Sequence, residues 1–326
     1  MATTLDSSRT PAYKPALAVF SALAAAWVFV PITLGAFTTT IGAGMAFPDW
    51  PLSNGSLNPA GWLSHLDMSA EHSHRLSVGV MTILTAILAL WIWRTESRAW
   101  LRRLSYFAFA LVVAQAVLGG LRVLLDRFQV AAVDTSVGQL LAMLHAWTAQ
   151  VFACTLIAVA VSCSRGWITG PVPVAGRTRR IGTICCVLFF LQLGIAAVMR
   201  HSFAGLAIPT FPFSTPDRGL LPAAWDFRVA IQFAHRVMAA VIAVAVSMFA
   251  FAVWRDRGSS LAMRAGASAL VSLVAFQILL GAFIIYTYRA VAVTTGHVLV
   301  GALTLATAFW ITWLAHRDEI ERPAHG

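Results

Sequence analysis

Residues 227–254 read FRVAIQFAHRVMAAVIAVAVSMFAFAVW. A run of about 20 mostly apolar residues, at the helical rise of about 1.5 Å per residue, spans the hydrocarbon core of a bilayer. His235 and Arg236 lie inside this run. Polar side chains are expensive at that depth, and those that persist there carry function by default. Seven more windows of the same character lie at 15–38, 69–93, 101–123, 136–161, 181–200, 264–287 and 291–315. Of the 326 residues 59% are hydrophobic and 11% charged, against about 25% charged in an ordinary soluble domain. The fold class read from this pattern is an all-α membrane protein of eight transmembrane helices. The first helix follows a polar start, Met1 to Lys14, with no clean small-residue cleavage site, so it is expected to be retained and not to act as a signal peptide.

The net charge of +10 resembles a nucleic-acid signal until the charges are placed. One set of alternate loops holds Arg9, Lys14, Arg94, Arg98, Arg102, Arg103, Arg165, Arg177, Arg179, Arg180, Arg255, Arg257, Arg264, Arg317 and Arg322, which is 15 of the 23 basic residues. The segment 39–68 has no Lys or Arg. The positive-inside rule then puts both termini in the cytoplasm and 39–68, 122–135 and 200–228 outside. The basicity expresses topology, and no nucleic-acid partner is expected. The cysteines, Cys154, Cys163, Cys185 and Cys186, all fall in predicted helices. They read as small apolar core residues with no structural disulfide.

The chain repeats itself. GAGMAFPDWP at 42–51 is matched by FAGLAIPTFP at 203–212, so that Gly44, Ala46, Pro48 and Pro51 recur as Gly205, Ala207, Pro209 and Pro212. The same offset carries His74-Arg75 onto His235-Arg236. Gln115-Ala-Val-Leu-Gly119 recurs as Gln277-Ile-Leu-Leu-Gly281, and His145 answers to His297. An even number of helices per unit gives the repeats parallel topology. Two tandem pseudo-symmetric four-helix bundles are the economical arrangement: 1–163, a linker 164–180 on the cytoplasmic side, and 181–326. The matched Gly-Pro loops imply a shared job, a lid over each site.

Of nine histidines, His316 and His325 fall in the tail, and His65 in an outer loop without a repeat partner. His74, His145, His235 and His297 each stand near the start of an even-numbered span, so they share one depth just below the outer face. A single helix histidine is commonly a packing residue. Two level histidines per bundle, repeated, point to ligation. Zinc would want three or four close ligands; two facing imidazoles suit the axial positions of haem iron in an apolar bundle. One site is expected between His74 and His145, another between His235 and His297. His72, two residues from His74, points to a different side of its helix. Arg75 and Arg236 are placed to pair with a haem propionate or to snorkel to lipid phosphate. Arg200 and His201 are weaker propionate candidates.

The halves differ at one turn before the first histidine: Glu71 stands where the second half has Gln232. An i, i+3 neighbour shares the helix face, so Glu71 is expected to look into the first pocket, where a carboxylate can move protons and an amide cannot. It could also serve the helix dipole as a cap. The asymmetry suggests that the first half does chemistry while the second keeps its haem and passes electrons.

Glu71-x-x-His74-Arg75, GAGMAFPDWPLSNG at 42–55, MRHSFAGLAIPTFP at 199–212, His235-Arg236 and TTGHVLVGAL at 294–303 together resemble the haem A synthase family, over about residues 20–315. That resemblance implies oxidation of a ring methyl of haem O to a formyl group, giving haem A for haem-copper oxidases. It implies haem O as substrate between His74 and His145, a haem b cofactor on His235 and His297, and Glu71 as the catalytic carboxylate. The cofactor must carry the oxidising power, since no side chain has it. The partners implied are a membrane electron donor, haem O synthase and cytochrome oxidase assembly proteins, in a bacterial inner membrane with the sites near the periplasmic face. Two departures stand out: the first outer loop lacks the cysteine pair of some members, and Thr210 and Ser214 to Asp217 replace an acidic, glycine-containing run. Two other readings of the histidines remain, a two-haem cytochrome that only relays electrons and a non-catalytic haem carrier or oxidase assembly factor. Prenyl transfer to haem is disfavoured by the lack of paired Asp-rich motifs.

Overall fold

The structure, a computed structural model, describes residues 12–131, 135–170 and 173–322; Arg9 and His325, named above, lie outside them. The described helices are α1 (Pro15–Trp27), α2 (Phe29–Thr40), α3 (Leu66–Thr95), α4 (Ala99–Leu124), α5 (Val137–Cys163), α6 (Arg165–Thr169), α7 (Gly176–His201), α8 (Phe227–Arg255), α9 (Leu261–Tyr286), α10 (Val291–Ala315) and α11 (Arg317–Ile320). Eight spans, each 25 to 30 residues long with α1 and α2 forming one of them, are long and apolar enough to cross a membrane, and the protein is an all-α membrane protein. A two-residue hairpin, β1 (Gln129–Val130) with β2 (Thr135–Ser136), precedes α5.

Local chemistry explains the breaks. The first span is interrupted at Val28. Pro31 has no N–H and its ring crowds the carbonyl of residue 27, so the regular ladder stops where α1 ends. α5 starts on a capping box, with Ser136 Oγ accepting from Gln139 N–H and the Gln139 side chain returning to the Ser136 N–H. Asp226 caps α8 through Val229 N–H at 2.7 Å, and Ser260 caps α9 through Met263 N–H. α7 begins at Gly176, five residues before the apolar window. Its polar first turn is held by Asp256, which accepts from Ala175 N–H at 3.0 Å and Thr178 Oγ1 at 2.7 Å, a carboxylate on the positive end of a helix. The linker read at 164–180 is thus partly helical, as α6 and the start of α7.

Each half closes on itself. In the first, α3 packs on α2 and α1, α4 on α3, α5 on α4, and α1 returns to α5; in the second, α7–α8, α8–α9, α9–α10 and α10–α7 do the same. The halves meet where α5 packs on α7 and α10, and where α2 packs on α10. α5 is therefore buried nearly all round from Phe152 to Val159. One apolar core holds Leu17, Met81, Leu88 and Leu156, the other Val246, Phe249, Leu270 and Leu305; Phe309, Trp310 and Leu314 of α10 pack against both. Lipid tails are as apolar as these side chains, so close packing, not exclusion from water, holds the helices together. At Gly266 a Cβ would fall 2.4 Å from the Trp310 ring, so the bare backbone lets the indole lie against α9.

The end rich in arginine is tied by a clasp. Glu321 accepts from Trp167 Nε1 at 2.6 Å and Arg98 Nη1 at 3.0 Å. Trp167, fully buried, stacks on Trp313 of α10 at 6.1 Å between ring centres, and its carbonyl accepts from Arg317. Arg179 pairs with Glu319 at 2.7 Å. The opposite end carries the four helix histidines. His74, His145 and His235 each come eight residues after the first residue of α3, α5 and α8, and His297 six after that of α10.

Candidate functional site

Successive spans alternate in direction, so α3, α5, α8 and α10 run the same way, and their histidines stand roughly 9–12 Å in from the helix starts at 1.5 Å per residue. In the second half the rings of His235 and His297 face each other, 6.4 Å between centres with planes tilted by 54°. A metal–imidazole bond is about 2 Å, so ring centres on opposite sides of one iron stand roughly 6 Å apart. In the first half His74 and His145 stand on α3 and α5, both of which pack on α4.

The helices beside the rings are kept bare. A Cβ on Gly119 of α4 would meet His145 Cε1 at 3.4 Å, and one on Gly281 of α9 would meet His297 Cε1 at 3.4 Å. These two glycines close the Gln-x-x-x-Gly repeat. His74 faces Gly35 of α2, where a Cβ would fall 3.0 Å from Cε1. The glutamines of that repeat back the same histidines: Gln277 Nε2 donates to His297 O at 2.9 Å. With its amide turned so that its oxygen faces Ala149 N–H, Gln115 donates to His145 O at 3.1 Å and lies 3.0 Å from His145 Nδ1. Gln192 of α7 donates to His235 O at 3.0 Å. The repeat displayed Gln115 and Gln277, but only the packing gives them a task; Gln192 has no counterpart in the first half, where Pro31 stands.

Do these residues fit a haem? The Nδ1 atoms of His74, His235 and His297 are buried without a hydrogen-bond partner. Burying such a group unsatisfied costs about 1–3 kcal/mol, which coordination with rearrangement of the ring would relieve. Among the described residues no three or more His, Cys, Asp or Glu side chains gather as a metal cluster, so the tetrahedral zinc arrangement is absent from them. The facing imidazoles of His235 and His297, in an apolar bundle and flanked by Gly281, fit the two sides of a haem iron.

Above the histidines sit the two Gly-Pro loops, and the clamps on them repeat residue for residue. Arg75 donates to the carbonyls of Phe47 at 3.2 Å, Asp49 at 2.8 Å and Leu52 at 2.5 Å. Arg236 donates to Ile208 at 3.0 Å, Thr210 at 2.8 Å and Phe213 at 3.3 Å, each 161 positions on. Both guanidinium groups also lie over an aromatic ring, Phe47 and Phe211. They are engaged with their loops.

Glu71 is buried, 4% exposed. Its Oε1 pairs with Arg75 at 2.5 Å and its Oε2 accepts from Phe47 N–H at 3.0 Å. Gln232 holds the equivalent bond from Ile208 N–H at 2.5 Å, and its amide donates to Gly205 O at 2.8 Å. Both side chains latch a loop; the first alone is ionisable. Asp49 staples the first loop from within, accepting from Asn54 N–H at 2.8 Å and Gly55 N–H at 2.7 Å. His72 faces away from His74 into this loop, with Nδ1 3.0 Å from Ser53 Oγ and Nε2 3.1 Å from Leu57 O, and Trp62 packs edge-on against it. Arg200 crosses between the halves, donating to Ala36 O at 2.9 Å and Thr40 Oγ1 at 2.8 Å. The four cysteines are free thiols, three of them buried.

The family model for COX15-CtaA, described as cytochrome oxidase assembly protein, matches residues 18–309. The chain is 27% identical over 284 residues to a Heme A synthase of Geobacillus kaustophilus, covering 85% of this chain and 84% of that one. It is 23% identical over 315 residues to a Heme A synthase of Listeria welshimeri, covering 95% and 98%. A Heme A synthase of Bacillus licheniformis is 28% identical over 218 residues, covering 64% of this chain.

Proposed function

The chain belongs to the COX15-CtaA family of cytochrome oxidase assembly proteins, and from that premise we propose that it is a haem A synthase, an oxidoreductase that takes haem O to haem A. The change at the ring methyl replaces two hydrogens by one oxygen, a four-electron oxidation. The observation that carries the reading is the asymmetry of the duplicated frame: matched imidazole pairs at one depth, matched loop clamps, and a carboxylate in the first half where the second has an amide.

On this reading the first bundle is the substrate half and the second the cofactor half. His74 and His145 hold haem O, and His235 and His297 hold haem b. When bound, haem b supplies redox capacity that side chains lack. Gln277 and Gln192 fix the main chain at its two ligands, and Gln115 does so at His145, the role that supporting hydrogen bonds play around any ligated imidazole. Arg75 and Arg236 act on the haems at one remove, by holding the loops that cover them and exclude water. Glu71 moves a proton at the reacting edge of the substrate. To do so it gives up the Phe47 N–H, which couples its chemistry to the seating of the first loop. The residue distribution sets the termini on the cytoplasmic side of a bacterial inner membrane and the histidine end towards the periplasm. With dioxygen as the oxidant, a membrane donor supplies four electrons that, with four protons, carry the remaining three oxygen atoms to water, and haem O synthase and oxidase assembly factors are the natural neighbours. A pure electron relay or a carrier gives the buried Glu71 no chemical task.

The second half supplies its own control for the experiment. Gln232 shows that an amide at this position still latches its loop, so Glu71→Gln removes the ionisable group and spares the latch, whereas Glu71→Ala removes both. Purified Glu71→Gln protein should keep haem b, accumulate haem O and form haem A at least about 100-fold more slowly, the low end of what a positioned acid–base group contributes. Extracted pigments separated by chromatography give the answer. Normal haem A formation by Glu71→Gln removes Glu71 from the chemistry. Two haem B per chain in the unmodified protein, with no haem O or haem A, replaces the synthase reading by the relay.

A further inference from the structure

The two halves differ at a second place, and it also bears on what the first half accepts. Gly119 faces His145, and Arg122 follows it by three residues in the last turn of α4. Residues three apart share a helix face, so the guanidinium stands one turn nearer the histidine end on the face that looks at His145. In the second half Gly281 faces His297 in the same way, and three residues on stands Ile284. At this position the cation belongs to the first half alone.

Arg122 is seated by design of the backbone around it. A Cβ on Gly44 would fall 2.3 Å from Arg122 Nη2 and 3.0 Å from Nη1, so the bare residue leaves the guanidinium its place under the loop, and a methyl group there would displace it. At the matching Gly205 nothing lies within 4 Å. Among the described residues Arg122 makes no hydrogen bond through its guanidinium and has no carboxylate within 4 Å. The nearest acids are committed elsewhere: Glu71 to Arg75 and Phe47 N–H, and Asp126 to Ser136 Oγ at 2.5 Å. A half-buried guanidinium without an anion is costly, and a planar fork of donors is matched best by a carboxylate.

We propose that Arg122, seated on Gly44, binds a carboxylate side chain of the tetrapyrrole that enters the first half and so fixes which edge of the ring faces Glu71. The proposal rests on the reading of the first half as the substrate site.

The test uses haem O and its dimethyl ester, titrated into the purified full-length protein that carries haem b and followed by Soret absorbance. Arg122→Gln should weaken binding of the diacid at least tenfold and leave binding of the diester unchanged; Arg122→Lys should recover part of the loss. Haem b content and elution as a single species report folding. Gly44→Ala is the second variant: its methyl group displaces the guanidinium and should weaken the diacid selectively while Arg122 is intact. Unchanged diacid binding in Arg122→Gln, or equal loss for diacid and diester, overturns the proposal. A wild-type protein that takes up neither form overturns the substrate-site reading and this inference with it, whereas uptake with no Arg122 effect overturns the inference alone.

Discussion

An α-helix turns once in 3.6 residues, so His72 and His74, two apart on α3, face nearly opposite ways. His74 looks across to Gly35 with a buried, unpartnered Nδ1. His72 is 3% exposed and holds Ser53 and Leu57 of the first loop. The repeat favoured His74 in the sequence, because His235 matches it and nothing matches His72 in the second half, where Phe233 stands. What the sequence could not display is what His72 does instead, since its partners are a serine and a main-chain carbonyl far along the chain. His72→Ala should therefore leave the pigment content as it is and loosen the loop, lowering stability by about 1–3 kcal/mol for two lost buried hydrogen bonds. Haemochrome spectra together with limited proteolysis between residues 48 and 64 check this. Loss of one haem equivalent would make His72 a ligand and undo the distinction.

At the scale of elements, the spans were legible to within a few residues because their signal, a long apolar run, is local. The loops were legible only as a repeated Gly-Pro pattern. The arginines that hold them bond to main-chain carbonyls, which look alike in any sequence; hence the sequence pointed Arg75 and Arg236 to a haem propionate or a lipid phosphate, and their hold on the loops is visible only in the packing. The loops also differ inside. Asp49 staples the first, and its counterpart Thr210 donates a neutral hydroxyl to Phe213 O at 2.8 Å. Partial desolvation works against a charged Asp49, but the N–H groups of Gly55 and Asn54 and the Arg75 guanidinium outweigh it and hold its pKa below the ordinary carboxylate value. A carboxyl depressed in the folded state contributes stability above its unfolded pKa and loses it as pH falls through the lower folded value. The Asn54–Gly55 turn of the first loop should thus loosen on acidification below about pH 4, while the Thr210–Phe213 turn of the second, whose bond uses a hydroxyl, should not. Hydrogen exchange at the Asn54 and Gly55 amides, measured against pH, should show a rise that Asp49→Asn flattens; a rise that Asp49→Asn leaves unchanged would place the acid response elsewhere.

For the molecule as a whole, the duplication was readable because the matching residues keep their spacing, whereas the joint between the halves was not. It is made by α5 against α7 and α10, by α2 against α10 and by a clasp whose members, Arg98, Trp167 and Glu321, are scattered along the chain and carry no periodic signal. The clasp and the histidines lie at opposite ends of spans of 25 residues or more, about 37 Å long, so they are mechanically remote. Stability and ligation should then separate. Glu321→Ala takes away the acceptor of Trp167 Nε1 and one of the two carboxylates on Arg98, whose pair with Glu96 at 3.0 Å remains. The loss should be about 1–3 kcal/mol, read as a lower unfolding temperature in detergent, and Glu321→Gln, which keeps an oxygen for the indole, should lose less. The absorption spectrum and pigment ratio should not move in either variant, because sites more than about 7–10 Å apart with no shared partners behave additively. An altered haem spectrum in Glu321→Ala would mean that the clasp sets the distance between the bundles along their full length, and that the two rings of helices act as one body instead of two joined ones.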